Sequence, residues 1–212
     1  MHIVAMLSMA SGILSLFCLF VLHFTSPEYK PSWRMVSEYA LGNYKWLITA
    51  FFLFWGAGSI LLSLLLYNVV SGIWATLGVL FLFISGIGEI MGGLFDLKHK
   101  HHGLAFLLGV PALPLAALLI GYQLVNLERW QIHKTTLLLS THATWLSLII
   151  MAIAMGVMFS GFKKAGIQMS QDAEPPEHVP PGVIALGGYA NRLLVICYIG
   201  WSLLVVFYFM NA

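Results

Sequence analysis

The sequence predicts an all-α fold, a polytopic integral membrane protein in which six transmembrane helices form one bundle. Two observations carry that prediction. Of the 212 residues 60% are hydrophobic and only 8% are charged, against about 25% charged in an ordinary soluble domain, so most of the folded surface has to face hydrocarbon. Six segments, at about 3–24, 46–67, 72–95, 104–127, 135–160 and 188–210, are each close to the roughly 20 apolar residues that a hydrocarbon core about 30 Å thick demands. They take up well over half the chain, so residues 1–212 are expected to form a single transmembrane domain without a separate soluble one.

The first segment lacks a basic leader and exceeds the roughly 7–15 apolar residues of a signal peptide, so it is expected to persist as a helix. Cys18 and Cys197 stand singly in the first and last segments, which predicts buried thiols rather than a disulfide framework or a paired-cysteine metal site. The linker TSPEYKPSWRMVSEYALGNYKW is expected to lie in the membrane interface. Ser32 can cap a short helix with Trp33, Val36 and Ala40 on one face, and Arg34 and Glu38 are spaced to pair. Tyr29, Trp33, Tyr39, Tyr44 and Trp46 would form an aromatic belt at headgroup depth.

The third segment contains SGIGEIMGGLFD. Gly88 and Gly92 have the small-xxx-small spacing that lets a neighbouring backbone approach. Glu89 is a carboxylate inside a span, costly unless paired, protonated or wet, and therefore either a functional acid or a neutral one joining helices. In the fourth segment Pro111 and Pro114 remove backbone donors from a helix interior, predicting a kink of the kind that borders cavities. His142 in the fifth lies among Ser140, Thr141 and Thr144, hydroxyls expected to satisfy it. SQDAEPPEHVPPG, 170–182, reads as an extended surface segment. The sixth opens GGYANRLLVICYIGW, with Arg192 about a turn inside the boundary, able to snorkel to headgroups or to reach Asp96, Glu89 or a phosphate between them.

Six spans put the loops at 25–45, 96–103 and 161–187 on one side, the loop face, opposite both termini. Eight of the ten lysines and arginines fall on that face and only Arg129 and Lys134 on the other, which by the positive-inside rule makes the loop face cytoplasmic. The loop face also gathers Ser37, Glu89, Asp96, His99, His101, His102 and Arg192. Asp96 with His99, His101 and His102 has the ligand types zinc takes, with Glu89 as a general base, although the short i, i+2, i+3 spacing specifies no geometry. Bis-histidine haem between His23 and His102 is a weaker reading. Lys98, Lys100 and Arg192, with titratable histidines, suit a phosphate or lipid headgroup. The net charge of +2 is too small and dispersed for a nucleic-acid surface.

VSEYALG after the first span, GLFD followed closely by histidine, and GGYANRLLVICYIGW opening the sixth together resemble an uncharacterised family of six-span prokaryotic membrane proteins, domain of unknown function nine-nine-eight. The resemblance runs through nearly the whole chain. It implies a prokaryotic cytoplasmic membrane, a cytoplasmic N-terminus opposite to the orientation that the charge count favours, and polar family positions at Ser37, Asp96, His102 and Arg192. No activity comes with it.

Three functions are consistent with these residues. The leading one is a polar site on the loop face, binding lipid headgroups or another anion through Ser37, Glu89, Asp96, His102 and Arg192. Its rivals are a membrane-embedded metal-dependent lipid hydrolase and a proton-coupled transporter or accessory subunit working through Glu89 and His142. Expected partners are membrane lipids, with a membrane-protein partner or a second copy as further candidates.

Overall fold

The computed structural model describes residues 1–167, 176 and 178–211, and the segment predicted at 170–182 lies largely outside them. Long uncharged runs of Leu, Ile, Val, Phe and Ala become seven α-helices: α1 His2–Thr25, α2 Lys45–Tyr67, α3 Ile73–Leu94, α4 His102–Gly109, α5 Ala112–Leu124, α6 Lys134–Lys164 and α7 Gly187–Asn211. Because α4 and α5 are halves of the fourth span, six helices are long and apolar enough to cross a membrane. Each span packs on its chain neighbours, and α7 returns to α1, closing a ring.

The outside of the ring is as apolar as its interior. Phe17, Phe20 and Phe24 of α1 and Ile149, Ile150 and Ile153 of α6 are exposed, while Phe51, Leu82, Tyr198 and Trp201 are fully buried. Leucine gains nothing by leaving lipid for a helix interface, so close packing and interhelical hydrogen bonds have to hold the spans together. Ser8 donates to the Gly58 carbonyl and Ser15 to the Phe51 carbonyl, each at 2.9 Å, tying α1 to α2. Trp201 donates its indole N–H to Thr141 Oγ1 at 3.1 Å, tying α7 to α6.

The predicted kink is a full break between Gly109 and Ala112. Pro114 lacks the N–H that would have bonded the Val110 carbonyl, and Tyr198 of α7 donates its hydroxyl to that carbonyl instead, at 2.8 Å. Ser85 of α3 lies 2.7 Å from the neighbouring Gly109 carbonyl. Gly88 makes the approach possible, since a Cβ there would run into the Gly109 backbone. Gly92 instead faces Phe52 of α2, so the two glycines of the predicted pair serve different neighbours.

The loop at 26–44 departs from the predicted interfacial helix. Its one helical stretch is a 3₁₀ turn, Val36–Leu41, whose N-cap is Met35 rather than Ser32. The Ser32 carbonyl accepts from the Gly188 and Tyr189 amides and so caps the start of α7. Asn191 Oδ1 accepts from the Val36 amide at 2.9 Å. Arg192 donates to the carbonyls of Pro31, Arg34 and Gly188, to Tyr39 Oη, and through Nε to His23 Nε2 at 2.7 Å. These bonds fold the loop down onto the first turns of α7. Tyr29, Trp33 and Tyr39 are buried beneath it, leaving Tyr44 and Trp46 exposed, so most of the expected aromatic belt is core.

The Arg34–Glu38 pair forms as expected, Nε to Oε2 at 3.0 Å. Burial still pushes the Glu38 carboxyl above the ordinary carboxylate range, against the pull of Arg34. Arg192 does not bond Asp96 or Glu89: its donors are taken by the three carbonyls, Tyr39 and His23.

A Cβ on Gly188 would lie 2.5 Å from the Pro31 carbonyl oxygen and 2.7 Å from that of Arg34. Gly188→Val is therefore expected to destabilise the protein by about 1–3 kcal/mol or to prevent the loop from seating. Tyr198→Phe, which leaves the Val110 carbonyl unpaired, should cost about 1–2 kcal/mol. Unfolding in detergent micelles measures both, and a Gly188→Val protein as stable as the parent would contradict the seating of the loop.

Candidate functional site

Where the loop meets the ends of α2, α3, α4 and α7 it roofs a cavity of about 80 Å³, room for about two or three water molecules or for the polar tip of a larger ligand. Ser37 comes from the 3₁₀ turn, Trp55 from α2, Glu89 from α3, His102 from the first turn of α4, and Asn191 from α7. Apolar wall is supplied by Phe52, Phe106, Leu194 and Val195. The cavity thus joins three of the five residues predicted to bind: Ser37, Glu89 and His102.

Glu89 is buried, and each carboxyl oxygen has a serine. Ser59 of α2 donates to Oε2 at 2.6 Å, and Ser85, one helical turn before Glu89 in α3, lies 2.9 Å from Oε1. Ser85 has one hydroxyl hydrogen but faces two acceptors, Oε1 and the Gly109 carbonyl. The count closes when Glu89 carries a proton: its O–H donates to Ser85, Ser85 donates to Gly109, and Ser59 donates to the remaining oxygen. Of the two roles predicted for Glu89, the geometry gives it that of a neutral acid joining helices, here α2, α3 and the break in the fourth span. His142 takes no part in this network. It bonds Tyr122 Oη at 3.2 Å and accepts from Trp145 Nε1 at 2.8 Å, whereas the hydroxyls expected to satisfy it turn elsewhere: Ser140 and Thr144 donate to carbonyls of their own helix.

His102 is held by its Nδ1, 2.9 Å from the Phe95 carbonyl. A carbonyl only accepts, so Nδ1 carries the hydrogen and Nε2 of the neutral ring is an acceptor. Asn191 spends its oxygen on Val36 and directs its amide at the Met151 sulfur, 3.5 Å away. Ser37 is half-buried and its hydroxyl bonds none of the described residues, whereas the indole N–H of Trp55, a residue only 6% exposed, is buried without a partner among them.

The other predicted residues lie outside the cavity. Asp96 is paired with Lys45 at 2.5 Å and accepts from the Lys98 amide. The Lys45 bond, chiefly, holds its carboxyl below the usual carboxylate range, so any stability the pair adds is fully present above that range and is lost as the pH falls from it through the lowered folded-state value. His99 stacks on Phe95 with ring centroids 4.3 Å apart, and its Nδ1 accepts from the His101 amide. His101 leans on the same phenylalanine at 5.6 Å. Among the described residues no three His, Cys, Asp or Glu side chains are grouped as they would be around one metal ion; of the expected set, the His99 and His101 rings lie 5.2 Å apart, while His102 turns to the Phe95 carbonyl and Asp96 to Lys45. His23, the other half of the haem reading, has both ring nitrogens engaged, Nε2 by Arg192 and Nδ1 by the Leu19 carbonyl at 2.6 Å. Arg192 serves the loop above the cavity.

Trp55 and Asn191 were not singled out by the sequence. Trp55 is one of several aromatics in an apolar run, and nothing local marks it as bordering a cavity. Asn191 had a signal, an amide beside Arg192 within a membrane-entering turn, where a polar side chain needs a partner.

No curated protein and no solved structure matches this chain. A family model does, over residues 9–208, from the middle of α1 to the last turn of α7. The chain is a multi-pass integral membrane protein and belongs to the family described as protein of unknown function, DUF998.

Proposed function

We propose that this protein binds a membrane amphiphile, holding its head group in the cavity roofed by the 26–44 loop, in a prokaryotic cytoplasmic membrane. The observation that carries the reading is one cavity in which Ser37, Glu89, His102 and Asn191 meet Phe52, Phe106 and Leu194. Sites for small ligands combine an apolar wall with a few convergent polar groups in this way. Its position supports a lipid over a water-soluble ligand. It lies among the ends of membrane-spanning helices, where a head group and the first part of an acyl chain sit side by side. The proton on Glu89 suits that setting, since a carboxylate there would have to be desolvated.

The function needs no moving charge and no metal to be tested. Gly92 borders the cavity, and the atoms nearest a Cβ on it would be those of the Phe52 ring, at an ordinary 3.4 Å. Gly92→Leu should fill the cavity without forcing the backbone, and Ser37→Leu should do so from the roof. Protein purified in a mild detergent is expected to retain about one lipid per chain by mass spectrometry, and both variants to lose it while melting as the parent does. Lipid retained equally by all three, or by none, would overturn the proposal.

A further inference from the structure

Resting on the lipid-binding reading, we propose that the cavity selects an uncharged head group bearing a carbonyl-type acceptor and a hydroxyl donor, as acylglycerols do, in preference to a phosphate.

The hydrogen-bonding groups left open at the cavity define what would complement them. Trp55 offers a donor and nothing else, because an indole nitrogen cannot accept. Its N–H is buried with no partner among the described residues, and a donor left in that condition costs about 1–3 kcal/mol until something accepts from it. An ester carbonyl in the cavity beside the ring is such an acceptor. His102 offers the opposite: with Nδ1–H committed to Phe95, its Nε2 accepts, which a head-group hydroxyl satisfies. The Ser37 hydroxyl can do either. One donor, one acceptor and one adaptable group match a neutral head carrying both functions.

Charge argues in the same direction. No lysine or arginine lines the cavity among the described residues. Of the cations on this side, Arg192 is held by three carbonyls, Tyr39 and His23, Lys45 by Asp96, and Arg34 by Glu38 through Nε while its Nη1 has no hydrogen-bond partner among the described residues; Lys98 and Lys100 are exposed and line no part of the cavity. A phosphate in the cavity would be stripped of water with no guanidinium or ammonium to replace it, and would stand beside the Glu89 carboxyl. Burying an unpaired charge is far costlier than burying a hydrogen-bonded ester or hydroxyl. The anion reading of the sequence relied on Lys98, Lys100 and Arg192 converging on one place, and Arg192 turns away from it.

The test compares dioleoylglycerol with dioleoyl phosphatidic acid, which share their acyl chains and differ by the phosphate, in native mass-spectrometry titrations of the full-length protein. Dioleoylglycerol is expected to bind at least about tenfold more tightly, and Gly92→Leu to abolish its binding. Trp55→Phe keeps the ring and deletes the donor, and it should weaken dioleoylglycerol by about tenfold, the equivalent of one hydrogen bond, with little effect on phosphatidic acid. Ser37→Ala is a second readout, expected to weaken dioleoylglycerol several-fold, should Trp55→Phe not fold. Phosphatidic acid binding more tightly, and being displaced by Gly92→Leu, would overturn the uncharged selectivity while upholding the cavity as a lipid site. Dioleoylglycerol binding unaltered by Trp55→Phe or, in its place, by Ser37→Ala would overturn the assignment of these groups. Binding of neither lipid would remove the lipid-binding reading itself.

Discussion

A guanidinium buried at the edge of a bilayer is the constraint around which this structure is arranged. Arg192 is only 7% exposed and forms no ion pair among the described residues, the Glu38 carboxylate nearby being paired with Arg34. Its charge is instead spread over three carbonyls, a tyrosine hydroxyl and an imidazole. Carbonyls can gather in that way only if an irregular stretch of backbone is brought to them, and non-helical backbone is tolerated at such depth only when buried in protein or lining a cavity. The 26–44 loop meets both conditions. Arg192 receives its free carbonyls, Gly188 lets them approach, the α7 amides are capped by Ser32, and the underside of the loop becomes the roof of the cavity. Arginine suits the position better than lysine, since its planar fork can serve several acceptors at once without losing its charge.

The break in the fourth span follows a similar logic one layer deeper. Pro114 leaves the Val110 carbonyl without a donor and the Gly109 carbonyl stands at the end of α4, and hydroxyls from neighbouring helices reach both: Tyr198 to Val110, Ser85 to Gly109. Ser85 can do this because Glu89 gives it a proton in return, so the intramembrane acid and the helix break are parts of one network. The cavity lies between that network and the Arg192 clamp. Its polar lining is therefore inherited from groups that also hold the fold, which is why Glu89 has both oxygens occupied while Ser37, Trp55 and one nitrogen of His102 are left to meet a ligand.

Much of this was legible in the sequence. Span length and charge alone located all six crossings to within a few residues, because the bilayer admits so few alternatives. The meeting of Ser37, Glu89 and His102 at one cavity on the loop face followed from topology: helix ends on one side of a bundle have to be neighbours. The destinations of long side chains were not legible. Arg192 was expected to seek Asp96 or Glu89 because opposite charges attract, yet Asp96 is drawn to Lys45 across a shorter gap and Glu89 is neutralised by its serines. The tyrosines and Trp33 of the first loop looked like a headgroup belt because composition cannot tell an aromatic under a folded loop from one facing lipid. The histidine cluster had donor atoms suited to a metal, but no spacing rule told that its turn stacks His99 on Phe95 and tilts His101 against the same ring.

The clamp is tested most directly by amide hydrogen exchange over residues 33–41 and 188–192 in nanodiscs, comparing the parent with Arg192→Met. The account predicts that the Val36, Gly188 and Tyr189 amides of the parent exchange as slowly as those of the spans, and that the substitution accelerates them by at least about tenfold while α2 and α3 stay protected. A loop that exchanges freely in the parent, or that is indifferent to the loss of Arg192, would contradict it.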